Sequence, residues 1–236
     1  QMYTPDRVVI SIAGNVDETF IKEVEKRFGS YEGGKRDRGS IQPTFHADRI
    51  SKTKDTEQAH LCIGFKGLEV GHEDSYNLII LNNVLGGSMS SRLFQEVREQ
   101  RGLAYSVFSY HSSYRDNGMI AIYGGTGADQ LDQLSETIFQ TLEHLKQQGI
   151  TEKELHNSKE QLKGNLMLGL ESTNSRMSRN GKNELLLKRH RTLDEMIQLI
   201  DQVNIQSVNE MAQELFSKPY ALSLISPDGK LPSSLI

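Results

Sequence analysis

Leu81 to Tyr110, LNNVLGGSMSSRLFQEVREQRGLAYSVFSY, changes its hydrophobic period twice. An apolar run stops at Gly86-Gly87 and a serine-rich turn. From about Ser91 to Gln100, Leu93, Phe94 and Val97 recur at helical spacing among charges, and Gly102 ends the segment. From Tyr105 the pattern alternates, as in a strand with one buried face. This helix-to-strand joint brings Arg98 and Tyr105 to the same side. An arginine fork and a phenol hydroxyl are both hydrogen-bond donors, and two converging donors suit a peptide carbonyl or the oxyanion formed from one. The residues alone leave a second arrangement open, with Arg98 in a surface ion pair with Glu96 or Glu99 and Tyr105 packed in the core.

The flanking segments predict the rest of the domain. Glu57 to Lys66 reads as a strand and Asp74 to Leu85 as a helix. Tyr105 to Tyr114 and Met119 to Gly125 form a hairpin pair around Arg115-Asp116-Asn117-Gly118, where Asn-Gly is a strong turn signal. Asp129 to Gln148 is a long helix with Leu131, Leu134, Ile138, Leu142 and Leu145 on one stripe, and Thr151 with Glu154 forms a capping box for the next. Helices over 172–187, 193–202 and 205–216 lead to a last strand, Ala221 to Ile225. The fold class is α+β, a mostly antiparallel sheet with helices on one face. Near the start, Arg7 to Ala13 reads as a strand, and Asp17 to Phe28 as an amphipathic helix carrying Phe20, Val24 and Phe28. Residues 31–55, rich in glycine and charge, read as a linker, so that 1–30 is the tail of a preceding domain and 56–236 the main one.

The composition excludes several functions. A net charge of -4, from 27 basic and 31 acidic residues, leaves no footprint for nucleic acid or for an anionic membrane surface. No apolar stretch approaches the ~20 residues of a membrane span, and the opening residues are not those of a signal peptide. The single cysteine, Cys62, rules out an internal disulfide and sits in an apolar run as a structural thiol. Neither HExxH nor HxxEH occurs. Glu152, His156 and Glu160 share a helix face by spacing, which suits a solvated row of charge pairs better than a metal. Ser88, Ser90 and Ser91 lack a nucleophile elbow, and Gly124 to Gly127 is a strand-to-helix turn without a phosphate-loop lysine.

Thr56 to Gly67 (TEQAHLCIGFKG), Leu81 to Tyr110 and Asn117 to Gly127 (NGMIAIYGGTG) together resemble the C-terminal half of pitrilysin-type, M16 metallopeptidases, the inverted-zinc-motif family, most closely its bacterial processing-protease branch. The resemblance implies one half of a clam-like enzyme in which two homologous halves enclose a chamber. The other half then carries HxxEH, zinc and the base, so zinc is the cofactor of the whole and this chain holds no metal. Arg98 and Tyr105 match the arginine and tyrosine that reach the substrate backbone, and Gly86, Gly87 and Ser88 help to shape the chamber wall and bind substrate. The implied partners are a peptide substrate and the zinc-bearing N-terminal half, on the same or another chain, with room for a dimer; a bacterial-type cytoplasmic location is the default. Alone, the chain is expected to be inactive. It is a truncated or nicked enzyme, a subunit completed by another chain, or a non-catalytic homologue serving as a peptide-binding or scaffold subunit, and the unpaired opening strand favours the first.

Overall fold

The computed structural model describes residues 4–33 and 43–233. In chain order these hold α1 (Glu18–Phe28), β1 (Arg49–Thr53), β2 (Ala59–Gly67), α2 (Ser75–Asn82), β3 (Ser106–Ser113), β4 (Gly118–Thr126), α3 (Leu131–Gln148), α4 (Glu152–Glu171), α5 (Thr173–Lys182), α6 (Leu193–Gln202), α7 (Ile205–Phe216) and β5 (Tyr220–Ser226). Three further segments, Asn83–Gly87, Phe94–Gln100 and Asn183–Leu187, are π-helical. Two compact units emerge: 1–42 with 162–198, and 43–161 with 199–236.

The second unit contains the sheet, in the order β1-β5-β2-β4-β3 among the described residues. All its pairings are antiparallel except β1 with β5. Alternation along β2 buries Leu61, Ile63 and Phe65 on one face while His60, Cys62 and Gly64 stay half-exposed on the other. On the buried face, Phe65 meets Phe216 of α7 edge-on at 5.1 Å between ring centres, and a Cβ on Gly124 of β4 would stand 2.9 Å from Leu134 of α3. Each fully buried side chain of this kind contributes about 2 kcal/mol. The stripe read on α3 is buried at all five positions, and the fold class is the one expected. The capping box holds: Thr151 N–H donates to Glu154 Oε2 at 2.7 Å and Glu154 N–H to Thr151 Oγ1 at 3.2 Å. A second, which the sequence had not suggested, joins Thr192 and Glu195 at the start of α6.

Two local expectations are corrected. Arg49–Thr53, inside the stretch read as a linker, is a strand, because β5 supplies the ladder partners that its polar sequence cannot advertise. Conversely, Arg7–Ala13 contains no strand: Pro5–Arg7 is a single 3-10 turn, and 8–13 has no ladder partner among the described residues. In this first unit, Asp17 caps α1 by accepting from Phe20 N–H at 2.8 Å, and Ser11 Oγ donates to Met177 O at 2.7 Å. No residue of α1 is buried, and Val8, Ile10, Ile12, Phe20, Ile21 and Phe28 are all exposed.

Candidate functional site

The joint between the π-helix Phe94–Gln100 and β3 is fixed by its backbone. Gly102 adopts φ +61°, the left-handed conformation that a side chain resists, and its N–H donates to Arg98 O at 3.1 Å. Leu103 N–H then reaches back to Val97 O at 2.9 Å, and Thr126 Oγ1 of β4 donates to Leu103 O at 2.5 Å. Val97, Leu103 and Ala104 are buried, anchoring both sides of the turn. Tyr105, the next residue, stands 75% exposed just before β3. The wider five-residue hydrogen-bond register of a π-helix is itself a feature often found at functional sites.

Arg98 and Tyr105 come together here. The Arg98 guanidinium carbon lies 4.3 Å from the centre of the Tyr105 ring and 4.7 Å from that of Phe94, one turn earlier on its own helix. Its nearest carboxylate is Glu99, with Nε to Oε1 at 3.6 Å, longer than a hydrogen bond. Glu96 is taken by Arg101. Part of the alternative read from the sequence is therefore present, as a loose ion pair with Glu99, while Tyr105 is not packed in the core. Among the described residues, neither the Arg98 terminal nitrogens nor the Tyr105 hydroxyl donates a hydrogen bond. Phe94 had been placed only on the apolar face of the helix; its i, i+4 spacing to Arg98 was the available signal for their contact.

The glycine-rich loop lies behind. Gly86 is buried, and a Cβ there would fall 2.4 Å from Ser109 N of β3, so backbone-to-backbone approach accounts for this glycine. Gly87 is exposed; Ser88, half-exposed, donates from Oγ to Asn83 O at 3.4 Å and lies 3.2 Å from Ser90 Oγ. On the open face of the sheet, Phe108 lies tilted against Tyr123 with ring centres 5.1 Å apart, and the Tyr123 hydroxyl meets His60 Nδ1 at 2.8 Å. Burial pushes the Cys62 thiol up from its ordinary range, away from the thiolate a nucleophile needs.

A cleft of ≈ 590 Å³ is lined by Arg92, Glu96, Arg101, His144 and Glu154 among others, but by neither Arg98 nor Tyr105. Its arginines are already occupied: Arg92 holds Glu154 at 2.7 and 2.8 Å and Gly149 O at 2.7 Å, and Arg101 holds Glu96. The Arg98 and Tyr105 side chains, by contrast, make no hydrogen bond among the described residues and meet through the guanidinium–ring contact. Among the described residues no three His, Cys, Asp or Glu groups converge to hold a metal, so those residues do not fit a zinc site. Nor, among them, is any helix long and apolar enough to cross a membrane.

The Peptidase M16 inactive domain family matches residues 1–162. The uncharacterized zinc protease YmxG of Bacillus subtilis is 68% identical over 231 residues, which span 98% of this chain and 56% of that protein. The crystal structure of a peptidase M16 inactive domain from Pseudomonas fluorescens superposes with a TM-score of 0.80 at 19% identity, over 93% of this chain and 53% of that one. A chain in the structure of Complex III2 from Candida albicans gives 0.78 at 19% identity, over 94% of this chain and 55% of that one. The chain thus spans about half the length of the relatives it matches. With a family match over residues 1–162 and a relative 68% identical, the chain belongs to the M16 peptidase family, to whose inactive, C-terminal type of domain it corresponds.

Proposed function

We propose that this chain is the substrate-binding C-terminal half of a zinc-dependent metalloendopeptidase, in which Arg98 and Tyr105 donate to the scissile carbonyl. One observation carries this: an arginine guanidinium resting on a tyrosine ring at 4.3 Å, both with donors unspent, on a joint fixed by buried neighbours. As the carbonyl oxygen gains charge, its hydrogen bonds to a guanidinium and a phenol strengthen, so these donors favour the transition state over the bound ground state. A well-placed donor of this kind contributes about 3 kcal/mol. Gly87 and Ser88 line the same wall, and Gly86 lets their loop lie flat on β3.

In this reading zinc is held by the other, N-terminal half of such an enzyme, in keeping with the zinc protease name of a relative. Residues 1–30 are proposed as the tail of that zinc-bearing half. The exposed apolar row Val8, Ile10, Ile12, Phe20 and Phe28 supports this, as does the greater length of the relatives. A second reading, a non-catalytic scaffold subunit, draws on the fold shared with a chain of the Candida albicans complex. Zinc content and cleavage of a quenched fluorescent peptide separate the two, measured for this chain, for the other half, and for their mixture. Activity of the mixture alone is the expected result; an assembled, zinc-loaded pair without activity moves the assignment to the scaffold.

A further inference from the structure

We infer that Phe94 is a positioning residue that holds the Arg98 guanidinium in its donating orientation, an inference that rests on the function proposed above. Arginine has a long, flexible side chain, and its fork directs two hydrogen bonds only when the plane is fixed. Carboxylates usually do this, but here the nearest, Glu99, stands at 3.6 Å and Glu96 is held by Arg101. What contacts the guanidinium instead is a pair of rings, Phe94 at 4.7 Å and Tyr105 at 4.3 Å. An aromatic ring attracts the cation through its quadrupole without engaging the N–H groups at the rim. A carboxylate in the same place would occupy the fork and neutralise its charge.

The two rings are not equivalent. Tyr105 is 75% exposed and is itself proposed to touch the substrate, so it is free to shift when substrate binds. Phe94 is half-buried on the π-helix, next to the fully buried Leu93 and one turn before Arg98. It is therefore the stationary wall of the clamp. Leucine can replace its apolar volume but not its π-face, whereas tryptophan supplies a stronger one.

The test uses the full-length protein with Phe94→Leu, Phe94→Trp, Arg98→Ala and Phe94→Leu/Arg98→Ala. Phe94→Leu is expected to lower kcat and kcat/KM together by roughly three- to tenfold with KM unchanged, the scale of a partly desolvated cation–π contact. Phe94→Trp should restore most of the loss, and Phe94→Leu should cost nothing further once Arg98 is alanine. A purely structural role for Phe94 predicts the opposite, a loss that persists without the arginine. In NMR spectra the Arg98 side-chain protons should show ring-current shifts that shrink in Phe94→Leu and persist in Phe94→Trp; unchanged shifts in Phe94→Leu overturn the inference whatever the kinetics. Arg98→Ala with wild-type turnover would sink the proposed carbonyl contact itself. An impaired Arg98→Ala beside a silent Phe94→Leu overturns only the positioning role.

Discussion

Arg92 grips Glu154 through two nitrogens, Nε to Oε1 at 2.7 Å and Nη2 to Oε2 at 2.8 Å, and so ties the segment before the π-helix to the start of α4. The pair is mostly buried, with side-chain exposures of 14% and 28%. Burial alone would raise the Glu154 pKa. The hydrogen bonds from Arg92 and Thr151 outweigh it and hold the carboxyl below its ordinary 4.5. Arg92→Ala leaves that charge partly buried without its partner, and should cost about 3 kcal/mol, or roughly 6–12 °C in Tm for a chain of this size. Replacing both residues by leucine should recover much of the loss. A Tm for Arg92→Ala within a degree of wild type would show that the pair does not hold these elements.

Tyr105→Phe in the full-length protein removes one hydroxyl from an exposed ring. Turnover should fall tenfold or more while Tm stays within about a degree. Unchanged kcat removes Tyr105 from the mechanism.

Gly86→Ala tests packing behind the site. The added methyl would stand 2.4 Å from Ser109 N, backbone that can move only with β3. The expected cost is about 1–3 kcal/mol, read from the urea midpoint. An unchanged midpoint would mean that β3 yields freely, and that the glycine serves some need other than close approach.

His111, on β3, is held below its ordinary pKa of 6.5 by burial. The unfolded imidazole therefore takes up its proton at higher pH than the folded one. In that window the unfolded chain binds more protons, so stability is full above about pH 6.5 and declines as pH falls below it. Tm should drop between pH 7 and pH 5, and His111→Gln should flatten that part of the profile. A variant with the wild-type slope would place the pH dependence on other groups.

The helix-to-strand joint was legible because several signals agree within a few residues: the period changes, Gly102 stops the helix, and Arg98 and Tyr105 flank the stop. The Asn117-Gly118 hairpin and the α3 stripe were legible for the same reason, since local chemistry and burial point the same way. β1 was not. Its sequence, RISKT, is exposed along its whole length and owes its conformation to partners in β5, far along the chain. The apolar run 8–13 failed in the opposite sense, because period and β-branching report a surface that wants covering, and no described strand covers it. Neither could the sequence tell that Glu96 would choose Arg101, which leaves Arg98 to the aromatic rings.

The strand order has a temporal meaning. Among the described strands β5 comes last in sequence, yet it lies between β1 and β2, which leave the ribosome long before it. Until β5 arrives, β1 has no ladder partner among the described residues and β2 only one, β4, so β5 is inserted between strands already made. Such long-range pairing is slow, because loop closure over most of the chain precedes any gain from it. Before β5 is added, the facing edges of β1 and β2 carry unpaired backbone groups, the kind of open edge on which strands of separate chains pair with one another.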